Sequence, residues 1–552
     1  MKVNLTTFPG KQNHLARVIF CIVVLYVGVF LLCTKGITSE GTVSLQGDMP
    51  RYLMNGTYFY DLIRYFPLGH MMEYTYQYYA RYPALSLGHH PLLPGAATVP
   101  FYSLLGISIF SARWSTIFFM LLGVTFWFFL IRFLYEDQVA FFSSLLWLTT
   151  PFVVSFSRIV MSEIPTLALI IVTVYFFFRY CEQDKPRYAF AFAVGFALSI
   201  YAKHLAGLML PIFIVYLSWL KGVRKLISKE MILSGILIIL LIVPLIPLTL
   251  KFSQASVALV TDQTLFSRLE SFNVLYHLKA LWQHHLTLPV LFLSLISMGA
   301  AIYRKDPRET FFLLWIAGYY LQITFMGVHE PRFSIYWIPA FCLFAATTIL
   351  LPRDRFWKTL LSILLLVIVT YQFIVAFKSE PEYAEGYEEA AKYVIENRKG
   401  KSVLFSANVD TGYFVFFVRK QDPHQDLIVL RADKVLATSK MDQIVEERVT
   451  SREQIYEVLQ DFGIGYVVLE DMEYESPSLE WLREEVKTDR FILHKRIPIR
   501  TNSYKLQDVA LAIYEYKDYT PPKKGKMISL DIPLMGDSIS VRLDDLICHR
   551  PL

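Results

Sequence analysis

Long uncharged, apolar stretches alternate with short polar ones along most of the chain, and the alternation stops near residue 377. A membrane-spanning helix needs about 20 mostly apolar residues. Uncharged runs of that order recur at 114–131, 138–157, 164–178, 188–202, 204–220, 231–250, 280–303, 310–329, 333–352 and 359–377. Val18–Thr34 forms a first run behind Lys2, Lys11 and Arg17, and 91–112 is a further candidate interrupted by Pro91, Pro94 and Pro100, which makes 12 in all. Thr34-Lys35-Gly36 is a poor small-residue cleavage site, so the first run reads as a retained helix entering from the cytoplasm and not as a signal peptide. Clustered Lys and Arg assign 132–137, 181–187, 221–230, 304–309 and 353–358 to the cytoplasm. The segments 158–163, 252–279 and 329–332, and everything after 377, then face outward. This assignment requires an odd number of spans, so 11–13 are expected, the ambiguity falling between residues 50 and 112.

After Lys378 the periodicity changes. Glu385–Arg398 reads as an amphipathic helix with Ala390, Ala391, Tyr393, Val394 and Ile395 inward. Ser402–Phe405, Leu427–Leu430, Tyr466–Leu469, Phe491–Leu493 and Val509–Tyr516 read as strands, and Arg452–Phe462 as a helix leading into Gly463-Ile464-Gly465. Strands alternating with helices predict a small α/β layer. The expected architecture is therefore a polytopic α-helical membrane domain over 1–377 and an extracytoplasmic soluble α/β domain over 378–552. The tail carries no Gly-rich phosphate loop and no nucleophile elbow, so it is expected to act as a structural or acceptor-facing cap.

Composition sharpens this division. Of 552 residues, 55% are hydrophobic, 16% aromatic and 18% charged, with a mean hydropathy of +0.41, whereas soluble domains carry about a quarter charged residues. Only 16 of the 47 Asp and Glu residues precede Lys378. A plain soluble enzyme and a pure membrane bundle are both excluded. The net charge of +6 comes from short clusters such as Lys221, Arg224, Lys225 and Lys229, or Arg304, Lys305 and Arg308; these suit cytoplasmic membrane loops and do not point to a nucleic-acid partner. The five cysteines form no spaced pair, which indicates neither a disulfide framework nor a Cys-based zinc site.

Two outward segments are long, about 35–90 and 251–279, and loops of this length are often functional. The first is dense in aromatics, among them Tyr58, Phe59, Tyr60, Tyr65, Tyr74, Tyr78 and Tyr82. An interfacial belt is the simpler expectation, with stacking on a sugar ring the alternative for one or two of them.

In so uncharged a setting an ionisable residue at the membrane face is a functional candidate. Asp48, in Gly47-Asp48-Met49-Pro50, is placed either as a general base or as a helix N-cap ahead of Pro50. His89 and His90 precede Pro91; adjacent histidines face different ways on any helix and make no obvious metal pair, but one of them could donate to a phosphate. Arg158 and Glu163 sit between two apolar runs, as ligands or as a structural pair. Lys203 with His204, and Glu330 with Arg332 after His329, offer cations for a phosphate, or helix-end charges. In the expected topology Asp48, Glu163, Glu330, Arg158, Lys203, His90 and Arg332 share one outer surface. Cations with one or two carboxylates suit transfer from a lipid-linked phosphate.

The ordered segments GDMPRYL (47–53), HHPLLPG (89–95), SRIVMSEIP (157–165), YAKHLAG (201–207) and HEPRF (329–333), with Pro339 following, resemble the GT-C membrane glycosyltransferases. More narrowly they resemble glycosyltransferase family 39, with the protein O-mannosyltransferases and the lipid A aminoarabinose transferases. Each segment is short, and their order over most of 1–350 carries the resemblance. It implies sugar transfer with inversion from a polyprenyl-phosphate donor, on the extracytoplasmic face of the cell membrane. Asp48 matches the family's leading catalytic Asp and Glu163 its second acidic position, while His90, Lys203 and Arg332 match positions near the donor phosphate. Arg158 is expected to join these as a phosphate ligand, and Arg51, Tyr52, His89 and Glu330 to line the substrate. Asp48-Met49 stands where many relatives have Asp-Glu, and His90 where aminoarabinose transferases tend to have Lys, so the acceptor, whether lipid, glycan or protein, is not inherited. No obligatory metal is expected; a divalent ion between Asp48 and Glu163 stays open. A transporter or flippase of a lipid-linked sugar would use the same cations without a base, and it should show internal repeats. Of the 16 acidic residues before Lys378, eight face outward in this topology (Glu40, Asp48, Asp61, Glu73, Glu163, Asp262, Glu270 and Glu330), and the segment order narrows them to Asp48 and Glu163.

Overall fold

The structure is a computed structural model that describes residues 14–37, 41–45, 47–252, 271–439, 445–532 and 537–548. Glu40, Asp262, Glu270 and most of the second long outward segment lie outside the described residues. Two compact units divide the chain. One holds the first helix with Arg113–Pro247 and the stretch from 271 to Glu380; the other joins the first outward segment, up to Ala112, to the residues after Pro381.

In the first unit the apolar runs are helical. Among the described residues six helices are long and apolar enough to cross a membrane: Leu15–Cys33, Ile109–Leu134, Glu163–Gln183, His204–Lys221, Pro331–Leu350 and Arg355–Lys378. A bent pair, Asp137–Thr149 and Pro151–Ser157, with a 65° break, is either a broken seventh span or a re-entrant loop. Thr150 precedes Pro151 and is held at φ −59°, ψ 118°, outside the helical region that a following proline disfavours. The runs 188–202, 231–250, 280–303 and 310–329 fall on shorter or less apolar helices, Pro186–Ala202, Lys229–Ile242 with Leu245–Phe252, Leu288–Arg304 and Pro307–Thr324. Aromatic side chains fill the space between helices, with Phe177 and Phe213 4.7 Å apart and Phe178 and Phe311 5.0 Å apart between ring centres. Pairs in such geometry add about 0.5–1.5 kcal/mol beyond burial.

One candidate span is corrected. The run 91–112 begins as two short helices, Leu92–Ala96 and Val99–Leu105, the second closed by Gly106 at φ +78°, and it belongs to the second unit. Its prolines start helical turns without continuing them. Against the 11–13 spans expected, six helices of the described residues, or seven with the bent pair, are long and apolar enough to cross a membrane.

In the second unit Val43–Ser44 pairs antiparallel with Tyr383–Glu385, which pairs with Arg500–Thr501. A five-stranded mixed sheet follows in the order 428–431, 402–406, 464–470, 510–516, 491–498. The first three strands are parallel and the last two antiparallel. Ser402–Ser406 and Ile464–Glu470 are buried at every position, as strands covered on both faces must be. The helix expected over 385–398 is Tyr387–Glu396, and its buried stripe is Tyr387, Ala390, Ala391 and Val394. Tyr393 and Ile395, expected inward, are half-exposed, because 100° per residue carries them off that stripe.

Several tyrosines of the aromatic first segment are core, not belt, while Phe59, Tyr60 and Tyr65 are half-buried and Phe66 is exposed. Helices Met49–Tyr65 and Met71–Arg81 pack Tyr58 edge-on to Tyr78 at 5.3 Å, and Tyr78 to Tyr82 at 5.3 Å. All three rings are at most 4% exposed, so neither the interfacial nor the sugar-stacking expectation describes them. Among them Asp61, fully buried, accepts the Tyr78 hydroxyl at 2.9 Å and both forks of Arg419, with Nε at 2.8 Å.

Arg419→Met strands the Asp61 carboxylate and is expected to cost about 3–5 kcal/mol, whereas Tyr78→Phe removes one donor and costs about 1 kcal/mol. Thermal unfolding of the purified full chain measures both; equal midpoints for Arg419→Met and the unmutated protein would exclude a structural role for the pair.

Candidate active site

Asp48 stands at the N-cap position of helix Met49–Tyr65, yet its carboxylate makes no capping hydrogen bond. Pro50 in the first turn lacks an N–H, and the Asp48 carbonyl takes the Arg51 and Tyr52 N–H groups at 3.1 and 3.4 Å. The side chain is thus available to other partners: His90 Nε2 at 3.5 Å and Arg51 Nη1 at 3.8 Å. His90 is buried, its Nδ1 2.7 Å from Ser86 Oγ and its ring edge-on to Tyr52 at 5.2 Å. Ser86 is in turn fixed by Asn55, whose amide oxygen takes the Ser86 N–H at 3.0 Å.

This geometry depends on close approach of helix Met49–Tyr65 to Leu92–Ala96. A Cβ added to Gly56 would stand 2.2 Å from Thr98 Oγ1, and one on Gly95 would stand 2.9 Å from Asn55 Cβ. Gly88, at φ +83°, turns the chain ahead of the two histidines in a conformation that side chains disfavour. Burial, with His90 and Arg51 acting in the same direction, lowers His89 to about 4, so it is a neutral imidazole at neutral pH and brings no charge to a phosphate.

A cavity of about 340 Å³ opens beside Asp48. Asp48 and Arg51 line it together with Asp410, Thr411, Arg431 and Asp433. Among the sequence-predicted residues of this unit, Tyr52, His89 and His90 are not in its wall; Tyr52, expected to line the substrate, is 3% exposed behind it. The opposite wall is a loop after strand Ser402–Ser406. Glu470, fully buried, holds that loop by accepting the Asn408 and Val409 N–H groups at 2.8 and 3.3 Å, and it takes the Tyr387 hydroxyl at 2.6 Å. Asp410 caps the next turn through the Gly412 N–H at 2.7 Å.

The first unit carries a second cluster. Glu163 opens helix Glu163–Gln183, where the helix dipole favours an anion. It is fully buried and paired to Lys203 Nζ at 2.6 Å. Lys203 sits at the break between helix Pro186–Ala202 and the turn His204–Leu208, 5.1 Å over the Phe333 ring. Arg332 and Glu330, expected in separate roles, form one bidentate pair.

Arg158 does not pair with Glu163. Its guanidinium donates to the carbonyls of Leu32 at 2.8 Å, Ala376 at 3.0 Å and Ser379 at 2.6 Å. Helix ends leave such carbonyls without intrahelical partners, and a cation there also meets the negative end of the dipole. Arg113 does the same for Cys33 and Lys35, both at 3.1 Å. The expectation of Arg158 as a phosphate ligand therefore gives way to a clamp on the ends of the first and last helices.

Sequence reasoning missed Asp410, Arg431, Asp433 and Glu470. The signal for the first was the Asp-Thr-Gly turn directly after a strand; Glu470 ends a strand like many others, and nothing local marks it. Also unforeseen is a histidine row in the first unit, His329 Nδ1 to His277 Nε2 at 3.3 Å and His277 Nδ1 to Ser334 Oγ at 3.1 Å. Among the described residues no group of three or more His, Cys, Asp or Glu is placed to hold a metal ion.

Residues 89–248 match the dolichyl-phosphate-mannose-protein mannosyltransferase family. ArnT from Cupriavidus metallidurans in the apo state superposes with a TM-score of 0.62 at 13% identity, covering 93% of this chain and 100% of that one. The same protein bound to undecaprenyl phosphate gives 0.60 at 12% identity, with 91% and 98% covered. The Archaeoglobus fulgidus oligosaccharyltransferase in the apo form gives 0.53 at 12% identity, with 83% and 70% covered. A comparison with curated proteins returned no match. At these identities the likeness is one of fold: the chain is a multi-pass membrane protein with the GT-C fold and a C-terminal sheet-containing part.

Burial raises the Glu470 carboxyl to about 7 from an ordinary 4.5, opposed by its three donors and reinforced by Asp410. The folded chain therefore holds a proton here that the unfolded chain releases between pH 4.5 and 7. This contribution to stability is full below that window and is lost as pH rises through it. Glu470→Gln keeps an acceptor for the loop N–H groups and removes the titration. Its unfolding midpoint is expected to fall less than that of the unmutated protein across the window; parallel profiles would discard the assignment.

Proposed function

We propose that this GT-C protein is an inverting glycosyltransferase that moves a sugar from a polyprenyl-phosphate donor to a lipid, glycan or protein acceptor on the extracytoplasmic membrane face. The observation that carries the reading is Asp48: a carboxylate at a helix start, unused for capping, held by His90 and Arg51 at the wall of a cavity. The fold shared with an ArnT that binds undecaprenyl phosphate supports the donor class, and the family match over 89–248 supports sugar transfer.

In this reading Asp48 takes the acceptor proton as general base, a role worth about 10²–10⁴-fold. His90 and Arg51 fix the carboxylate. Lys203 meets the donor phosphate: Glu163 engages one of its three N–H donors, which positions the ammonium and leaves two to direct elsewhere. Glu163 thereby acts through Lys203. Arg332, oriented by Glu330, adds a second cation. Stabilisation of the developing phosphate charge by fixed cations is the main rate term, and a divalent ion is not required. The clustered Lys and Arg of the loops support a C-terminal part outside the cytoplasm.

Asp48→Asn is expected to lower transfer at least about 100-fold with undecaprenyl phosphate binding unchanged, while Lys203→Ala weakens that binding about 10-fold or more. Full transfer by Asp48→Asn would remove Asp48 from the mechanism, whereas binding of the lipid-linked sugar with no transfer by the unmutated protein would favour a transporter. Transfer by the purified protein is expected to survive EDTA; its loss, with recovery on adding Mg²⁺ or Mn²⁺, would restore the divalent ion to the mechanism.

A further inference from the structure

The cavity beside Asp48 has a charge pattern that bears on the acceptor. Three carboxylates, Asp48, Asp410 and Asp433, and two guanidiniums, Arg51 and Arg431, line it. Arg431 is not directed at a ligand. Its fork grips Asp433, with Nε 3.0 Å from Oδ1, and its Nη1 donates to the Pro83 carbonyl at 2.9 Å. Arg431 and Asp433 thus neutralise each other. Arg51 compensates Asp48 at 3.8 Å. Among the described residues Asp410 forms no ion pair, and it accepts the Gly412 N–H at 2.7 Å.

The loop bearing Asp410 is locked in place. A Cβ on Gly412 would stand 2.8 Å from Pro50 Cβ, so the loop lies directly on the first turn of the Asp48 helix. From behind, Glu470 holds the Asn408 and Val409 N–H groups. Burial raises Asp410 to about 6, Asp48 pushes the same way, and Arg51 and Arg431 oppose; at neutral pH it is chiefly a carboxylate. A phosphate entering here meets the uncompensated Asp410 carboxylate, a juxtaposition of like charges that opposes binding. A neutral hydroxyl meets no such barrier and finds acceptors in Asp48 and Asp410 and donors in Arg51 and Thr411. The volume suits a small polar ring, and the charged wall does not suit an acyl chain.

Resting on the glycosyltransferase reading, we propose that this cavity is the acceptor pocket, that the C-terminal residues furnish half of it through the loop Asn408–Gly412, and that it takes an un-ionised sugar hydroxyl rather than a phosphate. Asp410 binds a hydroxyl of the acceptor ring while Asp48 works on the attacking one. The acceptor oxygen bonds to the anomeric carbon, the bond from that carbon to the phosphate oxygen breaks, its electron pair leaves on the polyprenyl phosphate, and the hydroxyl proton passes to Asp48.

The test is a deletion strain complemented with the full-length unmutated protein or with Asp410→Asn, its envelope glycoconjugates being read by mass spectrometry and linkage analysis. Purified proteins are assayed in parallel for undecaprenyl phosphate binding and thermal unfolding. The expected product is a glycosidic bond between two sugars that survives the mild acid which cleaves glycosyl phosphodiesters. Asp410→Asn is expected to lower its amount about tenfold or more, with undecaprenyl phosphate binding and unfolding midpoint unchanged. A transferred sugar found on phosphate or on a Ser or Thr side chain overturns the pocket assignment while leaving the transferase reading intact, as does full product from Asp410→Asn. If that variant unfolds early, the linkage in the unmutated strain decides alone. A strain in which the unmutated protein adds no sugar overturns the transferase reading and this one with it.

Discussion

The ion pair between Asp61 and Arg419 is the constraint on which the second unit depends. Both side chains are almost wholly removed from water, at 0% and 2% exposure, and neither charge is tolerable there without the other. The pair therefore fixes helix Met49–Tyr65 against helix Gly412–Gln421. Contact between Pro50 and Gly412 at the starts of the same two helices sets their register. Asp48 precedes one helix and the Asp410 loop precedes the other, so the two walls of the cavity are placed by a salt bridge far along both.

The same need to pair buried charge shapes the first unit, with a different outcome at each arginine and lysine. Arg113 and Arg158 satisfy helix-end carbonyls, which keeps their charge but uses their donors. Lys203 is a compact ammonium with one bond to Glu163 and 14% of its side chain exposed. A planar guanidinium engaged on three sides has become part of the scaffold, whereas an ammonium at a helix break keeps directions to offer a ligand. Position, not charge, separates the two.

Much of the molecule was readable before any coordinates. Apolar run lengths located the helices of the first unit, and strands such as 402–406 and 464–470 were anticipated to within a residue or two. Helix Gly412–Gln421 was not: its Tyr-Phe-Val-Phe-Phe-Val core is apolar at every position, and a segment buried all round has no period to betray it. The tyrosines of the first segment misled for a related reason. Tyr58, Tyr74 and Tyr78 suit an interfacial belt and a packed core equally well by composition, and only burial tells them apart.

Charge scarcity and motif order, both properties of the linear chain, determined the membrane class, the GT-C resemblance and the nomination of Asp48, because hydropathy and helical period are written within a few consecutive turns. Tertiary structure decided what each charge does. It released Asp48 from capping to face His90, took Arg158 away from Glu163, joined Glu163 to Lys203, and brought Asp410 to the cavity. Those choices are made by partners far off in sequence, 358 residues for Asp61 and Arg419. No local pattern encodes such a distance; it is fixed only when packing leaves a buried charge one available partner.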